Sequence, residues 1–437
     1  MSPDELQTEA VEVLQRLLRF NTVNPPGNER AAQEYLAAYL TEAGFECKLL
    51  GAQEERPNLI ARLRGAAPGD GPTLGLLGHV DTVLATPSDW QHDPWSGELA
   101  DGFVWGRGAL DMKSQVVAEI VAAATLAREG WRPARGELLV MAVVDEETGG
   151  ELGARWLCQE HPEEVRCDLL LNEGAGPVIE YEGRRLYGVC CAEKGVFRFK
   201  VRTHGRAGHA SIPRMADNAL LKLVPVIEAL GSAQSEHDLT EAPVRFLEAL
   251  GQSAEDPDAA LAHLHGSDPR LAIMVEPMLG VTFSPTVVRA SEKINVIPAE
   301  AEVAVDCRVP PGLGEAEARR RIEQALPATD SYELEFAERV VGNASAADSP
   351  LMDAITKWIS ENDPGAEAVP TMLPAFTDSR HFRDAFPEIV AYGFFPQRHQ
   401  GLFDVWPLVH SADERIDVRD LGFATRCYFD LTRELLS

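Results

Sequence analysis

Short apolar runs alternate with helix-like segments along the first 190 residues of the chain. The runs that open at residues 73, 137 and 167 are almost continuously apolar, which is typical of strands buried on both faces of a sheet. Residues 115–128 form a long apolar stretch that predicts a buried helix, and Ser2, Pro3 and Asp4 open an amphipathic helix. This alternation predicts an α/β sandwich with a mainly parallel sheet.

The pattern changes from about Cys191 onward, where residues 195–205 alternate as a strand with one exposed face does. Because 437 residues exceed the usual size of one core, two domains are expected. Residues 231–277 are long for a connection and carry weak helical patterns at 242–250 and 258–264. They would shape the mouth of a substrate site or merely pack on the second domain, and both interpretations stay open. Further predicted elements are helices at 217–230 and 314–326 and strands at 300–309 and 331–341.

Six side chains suited to metal binding or proton transfer lie at the ends of separate apolar runs. Most of them come where a strand gives way to a Gly-rich turn, so the fold should bring them to one rim of one sheet. His79 and Asp81 share a face of one predicted strand, so Asp81 could hydrogen-bond the ring nitrogen of His79 that is not on a metal. This layout predicts a two-metal hydrolase. The six residues are His79, Asp111, Glu146, Glu147, Glu173 and His410.

The carboxylates of this set suit different tasks. Asp111 precedes the apolar helix, where its carboxylate could offer one oxygen to each of two cations. Glu146 and Glu147 are neighbours whose side chains should point apart, so we expect one on a metal and the other on the attacking water. Burying four carboxylates side by side would be costly without cations. The metal interpretation therefore explains the set better than a solvated acidic surface.

The amino-acid composition limits the classes of partner that the protein can bind and the compartment in which it is expected. The net charge is −29, from 40 basic and 69 acidic residues, which disfavours nucleic acid and anionic membranes as partners. No apolar stretch reaches membrane-spanning length, and the N-terminus has no positively charged leader region. Seven cysteines, an odd number without a CxxC pair, are typical of free thiols in a reducing compartment. We therefore expect a cytoplasmic protein.

Eight segments carry, in chain order, a resemblance to the M20 metallopeptidase family. This family includes aminoacylases, glutamate carboxypeptidases and succinyl-diaminopimelate desuccinylases. The resemblance runs from about Val11 to the C-terminus, and the joint pattern is highly specific. The segments are GHVDTV, DPWSGELADGFVWGRGALDMK, DEETGG, NEG, GRAGHASIP, INVIP, TDSR and HSADERI.

The resemblance implies a role for each member of the set. Asp111 would bridge two divalent ions, most simply zinc, although cobalt or manganese would also suit the ligands. Glu146 would be the general base, which takes a proton from a water between the metals and returns it to the leaving nitrogen. A cis peptide is implied between Asp111 and Met112. His79 and Glu173 would complete one metal site, and Glu147 and His410 the other.

The resemblance also implies a domain plan, in which residues 1–190 and 343–437 form a discontinuous catalytic domain. Residues 191–342 would form an inserted lid and dimerisation domain of β-α-β-β-α-β order. His209 would stabilise the oxyanion from within the partner subunit's site, with Asn295 assisting, and the protein would be a homodimer through the lid. Without the resemblance, His209 is more typical of an ordinary turn histidine, and Asn295 is equally consistent with a strand-end asparagine that satisfies backbone groups.

Substrate class rests on two arginines, whose forked donors match a substrate carboxylate. These are Arg380, in TDSRHF, and Arg308, in DCRVP. Within the resembling family, glutamate at the position of Glu173 accompanies acylases and carboxypeptidases. We therefore expect an N-acyl amino acid amidohydrolase or carboxypeptidase. A dipeptidase or aminopeptidase, an N-carbamoyl amino acid hydrolase and a catalytically silent binding protein on the same fold are the alternatives.

Overall fold

A computed structural model describes residues 1–67, 69–234, 236–328 and 332–437. The chain forms two compact units. Unit 1 comprises Met1–Cys191, Ser345–Thr371 and Thr377–Ser437. Unit 2 comprises Ala192–Ala344 and Met372–Phe376. In the described part of the chain, no helix combines the length and apolar character needed for a membrane span.

The helices and strands are numbered in chain order. The helices are α1 (Pro3–Leu18), α2 (Arg30–Glu42), α3 (Lys113–Arg128), α4 (Ala154–Glu160), α5 (Pro162–Val165), α6 (Ala219–Gly231), α7 (Glu241–Ala249), α8 (Pro257–Ser267), α9 (Pro269–Val275), α10 (Glu315–Ala325), α11 (Pro350–Asn362), α12 (Ser379–Ala385), α13 (Leu402–Val405) and α14 (Val418–Leu435). The strands are β1 (Glu46–Leu50), β2 (Asn58–Arg64), β3 (Thr73–His79), β4 (Glu98–Ala100), β5 (Phe103–Trp105), β6 (Glu137–Val143), β7 (Leu169–Asn172), β8 (Pro177–Tyr181), β9 (Arg184–Glu193), β10 (Gly195–Val196), β11 (Phe199–His204), β12 (Gly208–His209), β13 (Thr282–Arg289), β14 (Val296–Ile297), β15 (Glu300–Val309), β16 (Tyr332–Phe336), β17 (Ala366–Leu373), β18 (Val390–Gly393), β19 (Gln397–Gly401) and β20 (Arg415–Asp417).

Unit 1 is built on a ten-stranded sheet of order β1-β2-β6-β3-β7-β18-β9-β8-β19, with β17 paired to β9. The four central strands β6, β3, β7 and β18 run parallel, whereas the pairs β1–β2, β2–β6, β9–β18 and β8–β9 are antiparallel. The predicted α/β fold with a mainly parallel sheet is confirmed. Ser2 caps α1, as predicted, and accepts a hydrogen bond from the backbone of Glu5.

Apolar side chains on both faces of the central strands explain why these strands are buried. Along β6, Leu138 and Val140 belong to the core shared with α1, α3 and α14, whereas Leu139 and Met141 belong to the core shared with α4 and α12. A strand covered on both sides needs apolar residues at every position, which is the continuous run seen in the sequence. The sheet is therefore a rigid middle layer between two sets of helices.

The polar edge of this layer follows from the strand directions. Strands β3, β6 and β7 are parallel neighbours, so their carboxyl ends lie side by side. His79 is the last residue of β3, Glu146 follows β6 by three residues, and Glu173 directly follows β7. The candidate residues therefore meet at the carboxyl edge, where ligands bind in open α/β sheets.

Unit 2 has a five-stranded antiparallel sheet of order β10-β15-β11-β16, with β13 paired to β15. Its core consists of one face of the sheet and helices α6 and α10. Strand β15 has the predicted bounds, and α6 begins two residues later than predicted because Asn218 caps it. The strand predicted from residue 331 begins outside the described residues. The described residues of the stretch 231–277 form three α-helices, α7, α8 and α9, rather than the two expected.

Candidate metal centre

His79 is buried at the end of β3 and lies against two candidate ligands. Its Nε2 atom is 3.1 Å from Oδ1 of Asp111 and 3.7 Å from Oε1 of Glu173. Its Nδ1 atom is 3.0 Å from the main-chain oxygen of Asp81 and 3.6 Å from the carboxylate of that residue. Asp81 therefore lies at the second ring nitrogen of His79, as expected, but the nearer acceptor is its main-chain carbonyl and not its carboxylate. The carboxylate of Asp81 is engaged elsewhere.

Asp111 occupies the middle of the cluster. Its Oδ1 faces His79, and its Oδ2 lies 3.0 Å from Nε2 of His410. The two oxygens of one carboxylate thus face two different imidazoles, which is the arrangement that a ligand shared by two cations requires. The peptide bond between Asp111 and Met112 is cis, as the family resemblance implies.

Glu146 and Glu147 begin a single helical turn, which is separated from β6 by Val144 and Asp145. Their backbone N–H groups donate to the carboxylate of Asp81, at 3.2 Å each. Glu147 is fixed at both side-chain oxygens, because Oε1 accepts from the Val83 N–H and Oε2 lies 3.3 Å from Nε2 of His410. Asp81 therefore holds the turn, and the turn directs Glu147 to His410.

Loss of solvation is the largest influence on the three glutamates of the centre. Burial raises the pKa of Glu146, Glu147 and Glu173, and nearby carboxylates raise it further. Burial also acts on Asp111, but its hydrogen bonds with His410 and His79 hold the pKa of that carboxyl below its usual value. Hydrogen bonds with Asp111 and Glu147 raise the pKa of His410 to about 10.

These residues fit a pair of divalent cations. Ligand atoms of His79, Asp111 and Glu147 lie within 4.8 Å of one another, as do those of His79, Glu146 and Glu173. Within the described ranges, no lysine or arginine forms an ion pair with any of the four carboxylates. A cluster of half-buried carboxylates without a lysine or arginine partner is the donor chemistry that divalent cations compensate.

The remaining predicted residues lie elsewhere. Arg380 is in unit 1, at the start of α12, with its Nη2 3.4 Å from the carbonyl of Gly149. His209, Asn295 and Arg308 all belong to unit 2. The backbone N–H of Ala210 donates to the Asn295 carbonyl, and the exposed His209 ring contacts the Ser211 hydroxyl at 2.8 Å. Unit 1 alone therefore brings together the six metal-binding or base candidates and Asp81.

Several supporting residues were not found from the sequence. Asp145 adopts a left-handed backbone, with φ 73°, and its Oδ1 accepts hydrogen bonds from Asn24, Arg56 and Thr148. Glu414 is buried and accepts backbone hydrogen bonds from Leu110 and Asp111. The adjacency of Asp145 to the glutamate pair and of Glu414 to the His410 segment was the available signal.

The chain is similar to known proteins along almost its whole length. The chain is 28% identical to a succinyl-diaminopimelate desuccinylase of Paracoccus denitrificans, over 98% of this chain and 97% of the relative. In structure it is similar to an M20 family metallo-carboxypeptidase of Sulfolobus solfataricus, with a TM-score of 0.75, 16% identity, and coverage of 97% and 98%. Human carnosine dipeptidase 1 has the same fold, with a TM-score of 0.71, 17% identity, and coverage of 99% and 97%.

The family assignment rests on most of the chain. Residues 75–434 match the family described as Peptidase family M20/M25/M40, and this range includes all six metal-binding or base candidates. Members of family M20 are dinuclear metal-dependent hydrolases. The candidate metal centre of this chain supplies ligand groups of the kind that such enzymes need. The chain is therefore a hydrolase that belongs to peptidase family M20/M25/M40.

Proposed function

We propose that this protein is a two-metal amidohydrolase that cleaves the amide bond of an N-acyl amino acid, or releases a C-terminal amino acid. The observation that carries the proposal is the position of Asp111, whose two carboxylate oxygens face His79 and His410 at 3.1 and 3.0 Å. Glu147 and Glu173 add a second carboxylate on either side. The full-length relative whose name describes removal of a succinyl group from an amino acid supports the acyl-substrate class.

Five residues would hold the metals. Zinc is the proposed ion, and cobalt and manganese suit the same mixed nitrogen and oxygen ligands. When bound, two such cations supply Lewis acidity that acidifies water and polarises the substrate carbonyl. Asp111 would be shared by both ions. His79 and Glu173 would complete one set of ligands, and Glu147 and His410 the other.

Glu146 would act as the general base. Its carboxylate would remove a proton from the attacking water, while the water oxygen forms a bond to the amide carbon. After the carbon–nitrogen bond breaks, Glu146 would deliver that proton to the leaving nitrogen. The raised pKa of this half-buried carboxyl suits a group that must both accept and return a proton. Asp81 would act through others, since it fixes the Glu146–Glu147 turn and the ring of His79.

Residues of unit 2 would bind substrate. Arg308 has its Nε occupied by Asp306 at 2.8 Å, whereas its buried Nη1 has no hydrogen-bond partner in the described part of the chain. That unused donor suits a substrate carboxylate, and Arg380, of unit 1, is the second candidate. His209 would donate a hydrogen bond to the developing oxyanion. One such donor stabilises the transition state by about 3 kcal/mol. Asn295 would support His209, to which it is joined through the Ala210 N–H.

We further propose a homodimer formed through unit 2, in which His209 serves the partner's centre. Helix α6 exposes apolar side chains at Leu221 and Val224, and the neighbouring strand β13 exposes Val287 and Val288. An apolar face on a monomer is typical of an interaction surface. Residues 1–190 with 343–437 would then be the catalytic domain and 191–342 the lid. The cytoplasmic location stays a prediction.

A hydrolysis panel tests the substrate class. Zinc-loaded enzyme would be incubated with N-acyl amino acids, their C-terminal amides, free dipeptides and N-carbamoyl amino acids, with products identified by mass spectrometry. We expect turnover of N-acyl amino acids that carry a free carboxylate, and loss of turnover when that carboxylate is amidated. Turnover of dipeptides that stops on N-acetylation would identify a dipeptidase instead, and ammonia release would identify a carbamoyl hydrolase.

A further inference from the structure

Glu414 is a buried carboxylate whose hydrogen bonds converge on the loop that carries Asp111. Its Oε1 accepts the backbone N–H groups of Leu110 at 2.7 Å and Asp111 at 3.0 Å. Its Oε2 accepts the N–H of Gly108 at 3.0 Å and Nη1 of Arg107 at 2.6 Å. One side chain thus fixes three amides within four consecutive residues. The last of those amides belongs to the shared metal ligand.

These four donors occupy both oxygens of Glu414, so this carboxylate is not a metal ligand. The ion pair with Arg107 compensates its charge inside the protein, because Arg107 is itself only 3% exposed. A second donor of Arg107, Nη2, reaches the carbonyl of Leu84, and its guanidinium lies 5.2 Å from the Trp90 ring centre. Glu414 is therefore held in a fixed position from which it can organise the loop.

Glu414 also connects the chain segment that carries His410 with the segment that carries Asp111. Strand β20 directly follows Glu414 and pairs antiparallel with β5. The main-chain oxygen of Glu414 accepts the N–H of Gly106 at 3.0 Å, which extends this pairing to the start of the Asp111 loop. His410 lies four residues before Glu414, and its Nε2 contacts Oδ2 of Asp111.

We infer that Glu414 is a positioning residue that sets the main chain of Asp111 so that its two oxygens face the two metal positions. The inference rests on the proposed two-metal function. Without this carboxylate, three buried amide donors would lose their acceptor, and a loop with unpaired buried amides rearranges to satisfy them. The shared ligand would move with the loop, and metal affinity would fall.

A matched pair of variants separates positioning from general stability. Asp420, in α14, is also buried, and its carboxylate also accepts three backbone N–H groups, from Arg398, His399 and Gln400, at 2.7 to 2.8 Å. None of those three amides belongs to a candidate metal ligand. Glu414→Gln and Asp420→Asn each replace one acceptor oxygen by an amide group that faces backbone donors. Both variants should lower the unfolding temperature.

Only Glu414→Gln should weaken metal binding, by ~10- to 100-fold, as loss of a residue that orients ligands does. Zinc affinity and stoichiometry would be measured by competition with a chromogenic chelator for wild type and both variants. Unchanged affinity in Glu414→Gln, or an equal loss in Asp420→Asn, overturns the inference. Wild-type protein that binds no divalent ion would instead overturn the proposed function itself.

Hydrogen exchange of the metal-free wild-type protein decides the question even where Glu414→Gln does not fold. If Glu414 organises the loop in advance, the amides of Gly108, Leu110 and Asp111 exchange slowly before any metal is added. Mass spectrometry of peptides that cover residues 106–112 reads this protection. Fast exchange in the metal-free protein, with protection only after zinc is added, would show that the metal orders the loop and would overturn the inference.

Discussion

Two adjacent glutamates have different surroundings, which separates their proposed roles. Glu147 has one side-chain oxygen on the Val83 N–H and the other beside His410, so it is held as a ligand is. Glu146 groups instead with His79 and Glu173. Its amide donates to Asp81, so replacing the side chain leaves the backbone of the turn in place.

We predict that Glu146→Gln keeps the metal content of the wild type and loses ~10²- to 10⁴-fold in kcat, the usual contribution of a general base. Glu147→Gln is the matched control, because it should lower metal content as well as activity. Metal analysis after gel filtration and steady-state kinetics measure both quantities. Substantial activity in Glu146→Gln would contradict the assignment of the base.

Individual residues differ in how far the sequence reveals them. His79, Glu146 and Glu173 stand out because each follows a continuous apolar run, and a parallel sheet brings such ends to one edge. Glu414 and Asn24 give no comparable signal. Their importance lies in which distant groups they contact, since Asn24 donates to Asp81 and Glu414 accepts from Asp111. Contacts of that kind are set by tertiary packing and cannot be derived from local pattern.

Among the elements, β18 limits the position of Glu173. Gly393 ends this strand, and a Cβ atom placed on it would lie 2.0 Å from the main-chain oxygen of Glu173 and 2.7 Å from the carbonyl carbon. Backbone atoms cannot yield as a flexible side chain can. Only glycine therefore allows β18 to pair closely with β7 at the point where the ligand emerges.

We predict that Gly393→Ala destabilises the protein by ~1–3 kcal/mol, the typical cost of overpacking, and also weakens metal binding. Denaturant unfolding and zinc titration measure the two effects. Gly266→Ala serves as the control, since Gly266 lies in α8 with no atom within 4 Å of an added Cβ. That variant should be neutral or slightly stabilising. Full zinc affinity in Gly393→Ala would show that Glu173 tolerates movement of β18.

Two strands of unit 2 show which kinds of strand can be predicted from the alternation of apolar and polar residues and which cannot. Strand β15 alternates strictly between buried and partly exposed positions, so its bounds were predicted to the residue. Strand β13 was not named from the sequence, although it pairs along β15. It contains Pro285, its register shifts between Pro285 and Val287, and most of its side chains are exposed. A strand with an exposed apolar end has no two-residue pattern to detect.

For the whole molecule, the exposed apolar face of α6 and β13 predicts self-association. Leu221 is 67% exposed and Val288 is 50% exposed. We predict that Leu221→Glu together with Val288→Glu converts a dimer into a monomer with unchanged metal content, because both positions lie in unit 2. Ile273→Glu is the control, since Ile273 is 63% exposed on α9 and lies outside this face. Sedimentation velocity reads the assembly state, and a wild-type monomer would contradict the proposal.

Assembly and catalysis become inseparable if His209 serves the partner's centre. A His209→Ala chain keeps its own base, and a Glu146→Ala chain keeps a histidine to lend, so a dimer of the two contains one complete site. Random exchange between equal amounts of two such chains in a two-fold dimer restores about a quarter of wild-type activity. Action within one chain restores none, because each chain then lacks one of the two groups. Activity assayed before and after subunit exchange distinguishes the two cases. In the control, both chains also carry Leu221→Glu and Val288→Glu. That mixture should stay inactive, because a monomer has no partner to supply the missing histidine.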